Sequence, residues 1–171
     1  SITGNKTTGG GVYVDSGTAF SLYGGSITGN TAANNGGGGV YVSGGGTFNM
    51  LGGEITGNTT AGSGGGVYVS NSIGSIGKFT MSGGEISGNT ADSYGGGVYV
   101  TPYNSTFTMS GDVTITGNKM GVADNNVYLP TDKTITVAAA LGDSEKIGVT
   151  TTAKPSDDNP VIVAEPKNSC V

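Results

Sequence analysis

Tyrosine is the residue most regularly placed for chemistry in this chain. Tyr13, Tyr41, Tyr68, Tyr99 and Tyr128 each occupy the centre of a VYV or VYL triplet, and the triplets return periodically along the sequence. A column of phenols could stack on sugar rings and offer hydroxyls to a glycan or protein partner. The plainer role for such a column is mutual support across neighbouring strands. A second column is Asn5, Asn30, Asn58, Asn89 and Asn118, stepping by 25, 28, 31 and 29 residues. Stacked asparagine amides can link to one another and satisfy corner backbone groups, so this column is expected to be structural.

Acid chemistry has less to work with. Glu54 and Glu85 occupy equivalent places in successive copies of GGEI. Two carboxylates about 5 Å apart would suit a retaining glycosidase. Ser26 and Thr114 replace them in the flanking copies, so the pair is expected to be an inert, solvated pair of surface charges. Asp124, Asn125 and Asn126 carry oxygens of the kind calcium takes, but such a cluster ordinarily makes a turn. The glycine-rich nonapeptide calcium motif needs an Asp in each repeat, which GGGVYV lacks. The chain has no His, so a Ser-His-Asp triad is impossible. It has no Arg, and its Lys residues are scattered, unlike the base of a pectate-lyase site. No catalytic residue, metal or cofactor is expected. Thr3, Thr28, Thr56, Ser87 and Thr116 form another outward column, yet the adjacent columns are chemically mixed and make a poor ice lattice.

The elements that would hold these columns are short. GGGVYV occurs at 9–14, 37–42, 64–69 and 95–100. Each period carries three apolar segments: VYV, then Phe-x-Met or Phe-x-Leu (Phe20, Phe48, Phe79, Phe107), then the Ile of ITGN or ISGN. All are β-branched or aromatic, bounded by Gly and Asn, and none has a helical period. Side chains alternate across a strand, so the Val pair, Phe, Met and Ile should face inward while Tyr faces out. The predicted fold is all-β, a right-handed parallel β-helix with three short strands per turn. Corner insertions such as SNSIGSIG (70–77) and TPYNS (101–105) fit a solenoid, because loop-closure cost grows slowly with length.

Composition agrees with an ordered repeat. Of 171 residues 35 are Gly, yet the Gly residues recur at fixed places beside apolar ones instead of forming linkers. The net charge of −5 argues against nucleic-acid binding and against adsorption to anionic lipid. No apolar run reaches the roughly 20 residues of a membrane span. The single Cys170 has no internal disulfide partner. The chain opens within a repeat, at SITGN, and is expected to be part of a longer polypeptide.

GGGV followed by GGSITGN or GGEITGN resembles the repeats of chlamydial polymorphic outer-membrane proteins. It is still more similar to the glycine-rich β-helix repeats of large adhesin-like surface proteins from gut bacteria and methanogenic archaea. The resemblance covers residues 1–130, the β-helix domain of about five turns. It implies a secreted or cell-surface location and a role in adhesion, with a host or cell-surface glycan or protein as partner. Residues 131–171 depart from the period and are expected to form a C-terminal β cap or the start of a next module. Its strands should be KTITVAAAL (133–141), KIGVTT (146–151) and PVIVAE (160–165), with KNSCV fraying at the end. The expected function is a non-catalytic rigid scaffold for display or recognition. The alternative is a carbohydrate-active or glycan-binding β-helix.

Overall fold

The computed structural model describes residues 1–34, 36–102, 104–131, 133–141, 146–152 and 164–166. Within them the chain is all-β, a parallel β-solenoid of about five turns. The VYV triplets form one sheet, from Val12–Val14 through Val40–Val42, Val67–Val69, Val98–Val100 and Val127–Leu129. Val12 pairs with Val40, Val40 with Val67, Val67 with Val98 and Val98 with Val127, all in parallel. Identical triplets therefore lie directly over one another, at the strand spacing of about 4.8 Å.

A second sheet takes both the Phe-Met and the Ile segments. Early copies are separate strands, such as Thr47–Met50 and Glu54–Thr56. Later copies are continuous, as Lys78–Ser87 and Thr106–Thr116. Phe79 pairs with Phe48 and Phe107, and Ile86 with Ile55 and Ile115. The third sheet comes from the residue pair after each Asn: Lys6–Thr7, Thr31–Ala32, Thr59–Thr60, Thr90–Ala91 and Lys119–Met120. These two-residue strands carry too little apolar pattern to be legible in sequence. Each turn thus has the three expected apolar segments plus this short one, gathered into three sheets that pair in parallel from coil to coil; the sheet of short strands ends in an antiparallel pair, Lys119–Met120 with Ala123–Asp124.

The interior is the set expected from alternation. Val40, Val42, Phe48, Met50 and Ile55 are fully buried, as are their counterparts Val67, Val69, Phe79, Met81 and Ile86. Phe rings stack within it, Phe48 on Phe79 at 5.0 Å and Phe79 on Phe107 at 4.7 Å between centroids, nearly parallel. Stacked like residues fill each layer identically, so one good packing solution serves the whole coil.

Beyond Leu129 the consensus is lost but the stacking continues. Ile135–Leu141 pairs in parallel with the preceding turn, Ile135 over Phe107 and Val137 over Met109. Ile147 lies over Ile115 and Val149 over Val127. Ala164–Pro166 pairs with Ile135–Val137. The remainder of the expected strand at 160–165, the expected fraying at 167–171 and Cys170 lie outside the described residues. The corner insertion at 70–77 folds as an antiparallel hairpin, Asn71–Ser72 against Ser75–Ile76, with Ile73 fully exposed at its tip.

Candidate functional site

Two columns dominate the chemistry of the coil, one buried and one at the surface. The buried column is asparagine. Asn30, Asn58, Asn89 and Asn118 are wholly buried. Each donates its backbone N–H and its Nδ2 to Oδ1 of the next: Asn5 to Asn30, Asn30 to Asn58, Asn58 to Asn89 and Asn89 to Asn118, at 2.8–3.0 Å. The second Nδ2 hydrogen reaches the carbonyl of an Ile one turn back, Asn58 to Ile27 at 2.9 Å and Asn89 to Ile55 at 2.8 Å. Buried amides are costly unless paired, and here donor and acceptor are both used.

Glycine builds this arrangement from both sides. The residue before each Asn is Gly4, Gly29, Gly57, Gly88 or Gly117, all with φ between 63° and 69°. That left-handed turn is costly for residues with a Cβ. The third glycine of each GGGV lies flat on the column. A Cβ on Gly39 would stand 2.7 Å from the Gly66 carbonyl oxygen, 2.8 Å from Ile55 Cγ2 and 3.0 Å from Asn58 Nδ2. Gly66 and Gly97 meet Asn89 and Asn118 in the same way. The repeated GGGV is thus the negative imprint of the asparagine column.

The column ends on a residue outside the repeat. Asn126 Oδ1 accepts from Asn118 N and Nδ2 at 2.9 and 3.0 Å, standing where the next ITGN asparagine would be. Its neighbour Asn125 is buried, and its Oδ1 accepts from Gly95 N at 2.9 Å. The side-chain oxygens of Asn125 and Asn126 are therefore engaged within the fold, while Asp124 is exposed. Among the described residues no group of three or more His, Cys, Asp or Glu is placed to hold a metal.

The surface column is tyrosine. Tyr13, Tyr41, Tyr68, Tyr99 and Tyr128 point outward in register, with ring centroids 5.0, 5.2, 5.3 and 5.9 Å apart. Tyr94, which sequence reasoning missed because it lies in a variable corner, joins the stack against Tyr128 at 4.5 Å and Tyr99 at 6.3 Å. The faces of the inner rings are taken by their neighbours, so a sugar would meet ring edges and hydroxyls, not open faces. Burial, with the neighbouring Tyr41 and Tyr99 phenols, pushes Tyr68 up to about 12. Tyr99 is raised as well, first by burial and then by Tyr128 and Tyr94. These hydroxyls stay protonated donors across the physiological range. Tyr128 shares a 3.0 Å hydrogen bond with the Thr152 hydroxyl. Beside Tyr13 and Tyr41 an open cleft of about 510 Å³ is walled by the GGG backbone, Thr7, Thr8 and Asn34.

Glu54 and Glu85 are in-register neighbours on an exposed face, flanked in the same register by Ser26 and Thr114. The Thr column is partly linked, Thr56 to Thr28 at 3.2 Å. Among the described residues no helix is long and apolar enough to cross a membrane. Comparison with known protein families, curated proteins and solved structures finds no match.

Proposed function

We propose that this chain is a length of an extracellular, adhesin-like surface protein, acting as a rigid, non-catalytic spacer that carries recognition elements on its corners and tyrosine face. The observation that carries this reading is the continuous buried asparagine column. It ties each coil to the next through side chains as well as backbone, in a molecule whose outer corners vary freely. A spacer needs stiffness along its axis and tolerance at its surface, and the buried column and the variable hairpin at 70–77 supply them separately. The partner would be a glycan or protein meeting phenol edges and the Tyr13–Tyr41 cleft through hydrogen bonds.

Two measurements test this. Single-molecule pulling along the chain should give stepwise, high-force unfolding of coils; smooth low-force extension would remove the spacer role. A glycan array should show binding that falls when Tyr41 and Tyr68 are replaced by Ser; binding unchanged by those replacements would remove the tyrosine face from recognition. The second reading, glycan cleavage, draws support from Glu54 and Glu85, whose strand spacing falls near the carboxylate separation of a retaining enzyme. Polysaccharide cleavage abolished by Glu54→Gln with Glu85→Gln would favour it over the spacer.

A further inference from the structure

The tyrosine column is a stack of oxidisable rings held at contact distance. Tyr41 and Tyr68 lie 5.2 Å apart with planes 9° from parallel, and Tyr94 and Tyr128 lie 4.5 Å apart. The stack has two exposed points of entry, Tyr13 at 57% and Tyr94 at 46% exposure, while Tyr41, Tyr68 and Tyr99 are half-buried. Tyr23 is more exposed than either, at 77%, and lies outside the stack. The molecule therefore contains its own comparison between accessibility and stacking.

We propose that the tyrosine column is an oxidative modification site, at which a one-electron oxidant closes dityrosine bonds between successive coils. The oxidant, of the haem peroxidase and hydrogen peroxide class, takes one electron from an exposed phenol while the phenolic proton passes to water. The phenoxyl radical so formed can be refilled by an adjacent phenol, which gives up an electron and a proton in turn. The hole thereby moves inward along the stack. When two neighbouring rings are radicals, their carbons ortho to oxygen join in a new C–C bond. The hydrogens on those carbons shift to the oxygens and restore both phenols. The balance is two electrons to the oxidant, two protons to water and one cross-link. A ring held against its partner has a far higher effective concentration than one that must meet another molecule. Stacking therefore directs coupling to the column, although Tyr23 is the easier residue to reach.

The test treats the full chain with a haem peroxidase and hydrogen peroxide at low protein concentration, followed by proteolysis and mass spectrometry. The expected products are chains that remain monomeric under denaturing conditions. Their cross-linked peptides should join Tyr41 to Tyr68 and Tyr94 to Tyr128, each lighter by two hydrogens than its unlinked parts. Tyr68→Phe, which keeps the ring, should lose the Tyr41–Tyr68 product and retain the Tyr94–Tyr128 one. Tyr23→Phe should leave the yield unchanged, and treatment in concentrated urea should abolish both of these pairs. Cross-links formed chiefly between molecules, cross-links centred on Tyr23, or a pattern identical in folded and unfolded chains would each overturn the proposal.

Discussion

Asn58 donates its backbone N–H and its side-chain Nδ2 to a single atom, Oδ1 of Asn89, at 2.9 Å in each case. It receives the same pair from Asn30 on its own Oδ1. Replacing its side chain removes the junction to Asn30 and halves the one to Asn89. Asn58→Leu would take the acceptor from both Asn30 donors and the amide donor from the Ile27 carbonyl in a water-free interior, leaving Asn89 Oδ1 with the backbone N–H alone. Each unsatisfied buried group costs about 1–3 kcal/mol, so a loss on the order of 4 kcal/mol is expected. Urea unfolding of the variant against the parent measures it. A loss under about 1 kcal/mol would show that the amides are not stabilising the coil.

The glycine imprint can be separated from glycine content. Gly39→Ala places a Cβ against backbone oxygen and the Asn58 amide, where neither neighbour can retreat. A destabilisation of about 1–3 kcal/mol or more follows from overpacking. Gly24 has open space around its Cβ position and no left-handed φ. Gly24→Ala should be neutral or slightly stabilising, by up to about 1 kcal/mol, through the unfolded chain. Thermal melts should place Gly39→Ala below the parent and Gly24→Ala at or slightly above it.

Phe79 is sandwiched between Phe48 and Phe107 and fully buried. Phe79→Ala leaves a cavity inside a stack whose other rings are fixed by their own strands, so little collapse is available. The expected cost is about 3–5 kcal/mol, read from denaturant midpoints.

Alkaline stability should follow the tyrosine column. Tyr68 titrates at about 12 in the folded chain against an ordinary value of 10.0, and Tyr99 shifts in the same direction. The unfolded chain therefore releases these protons first. Stability from this source is complete below pH 10.0, declines as the unfolded phenol ionises, and is lost by about pH 12. Tyr68→Phe should flatten that decline. Melting temperatures followed from neutral to strongly alkaline pH provide the comparison, and a variant curve parallel to the parent would contradict it.

Much of the architecture was legible because the repeat writes the same letter at each structurally equivalent place. Val40 over Val67, Phe48 over Phe79 and Ile55 over Ile86 need only the alternation rule and a common period. The inward and outward sets followed from the same rule, and so did the position of the asparagine column. What lay hidden depends on residues outside the consensus. Asn126 occupies the end of the asparagine column from a different corner, so spacing could not reveal it. Tyr94 enters the ring stack from an inserted corner. Sequence also placed the tyrosines outside the coil without showing that their faces would be closed by one another. That closure depends on ring orientation, and alternation specifies only a side. The segments at 133–141 and 146–151 were legible as strands, but they share no motif with the repeats, so nothing in spacing showed that they lie in register on the turn beneath.

In the asparagine column every bond onto an Oδ1 runs from an earlier coil to a later one, so each coil presents a socket on one side and a plug on the other. An added copy of the repeat arrives with both fittings and can be spliced between any two existing coils without a new joint. A copy running the opposite way would set plug against plug. Length in such a molecule is thus a free variable and direction is not: reach can be changed by duplication alone, while the sense of travel is written into every amide.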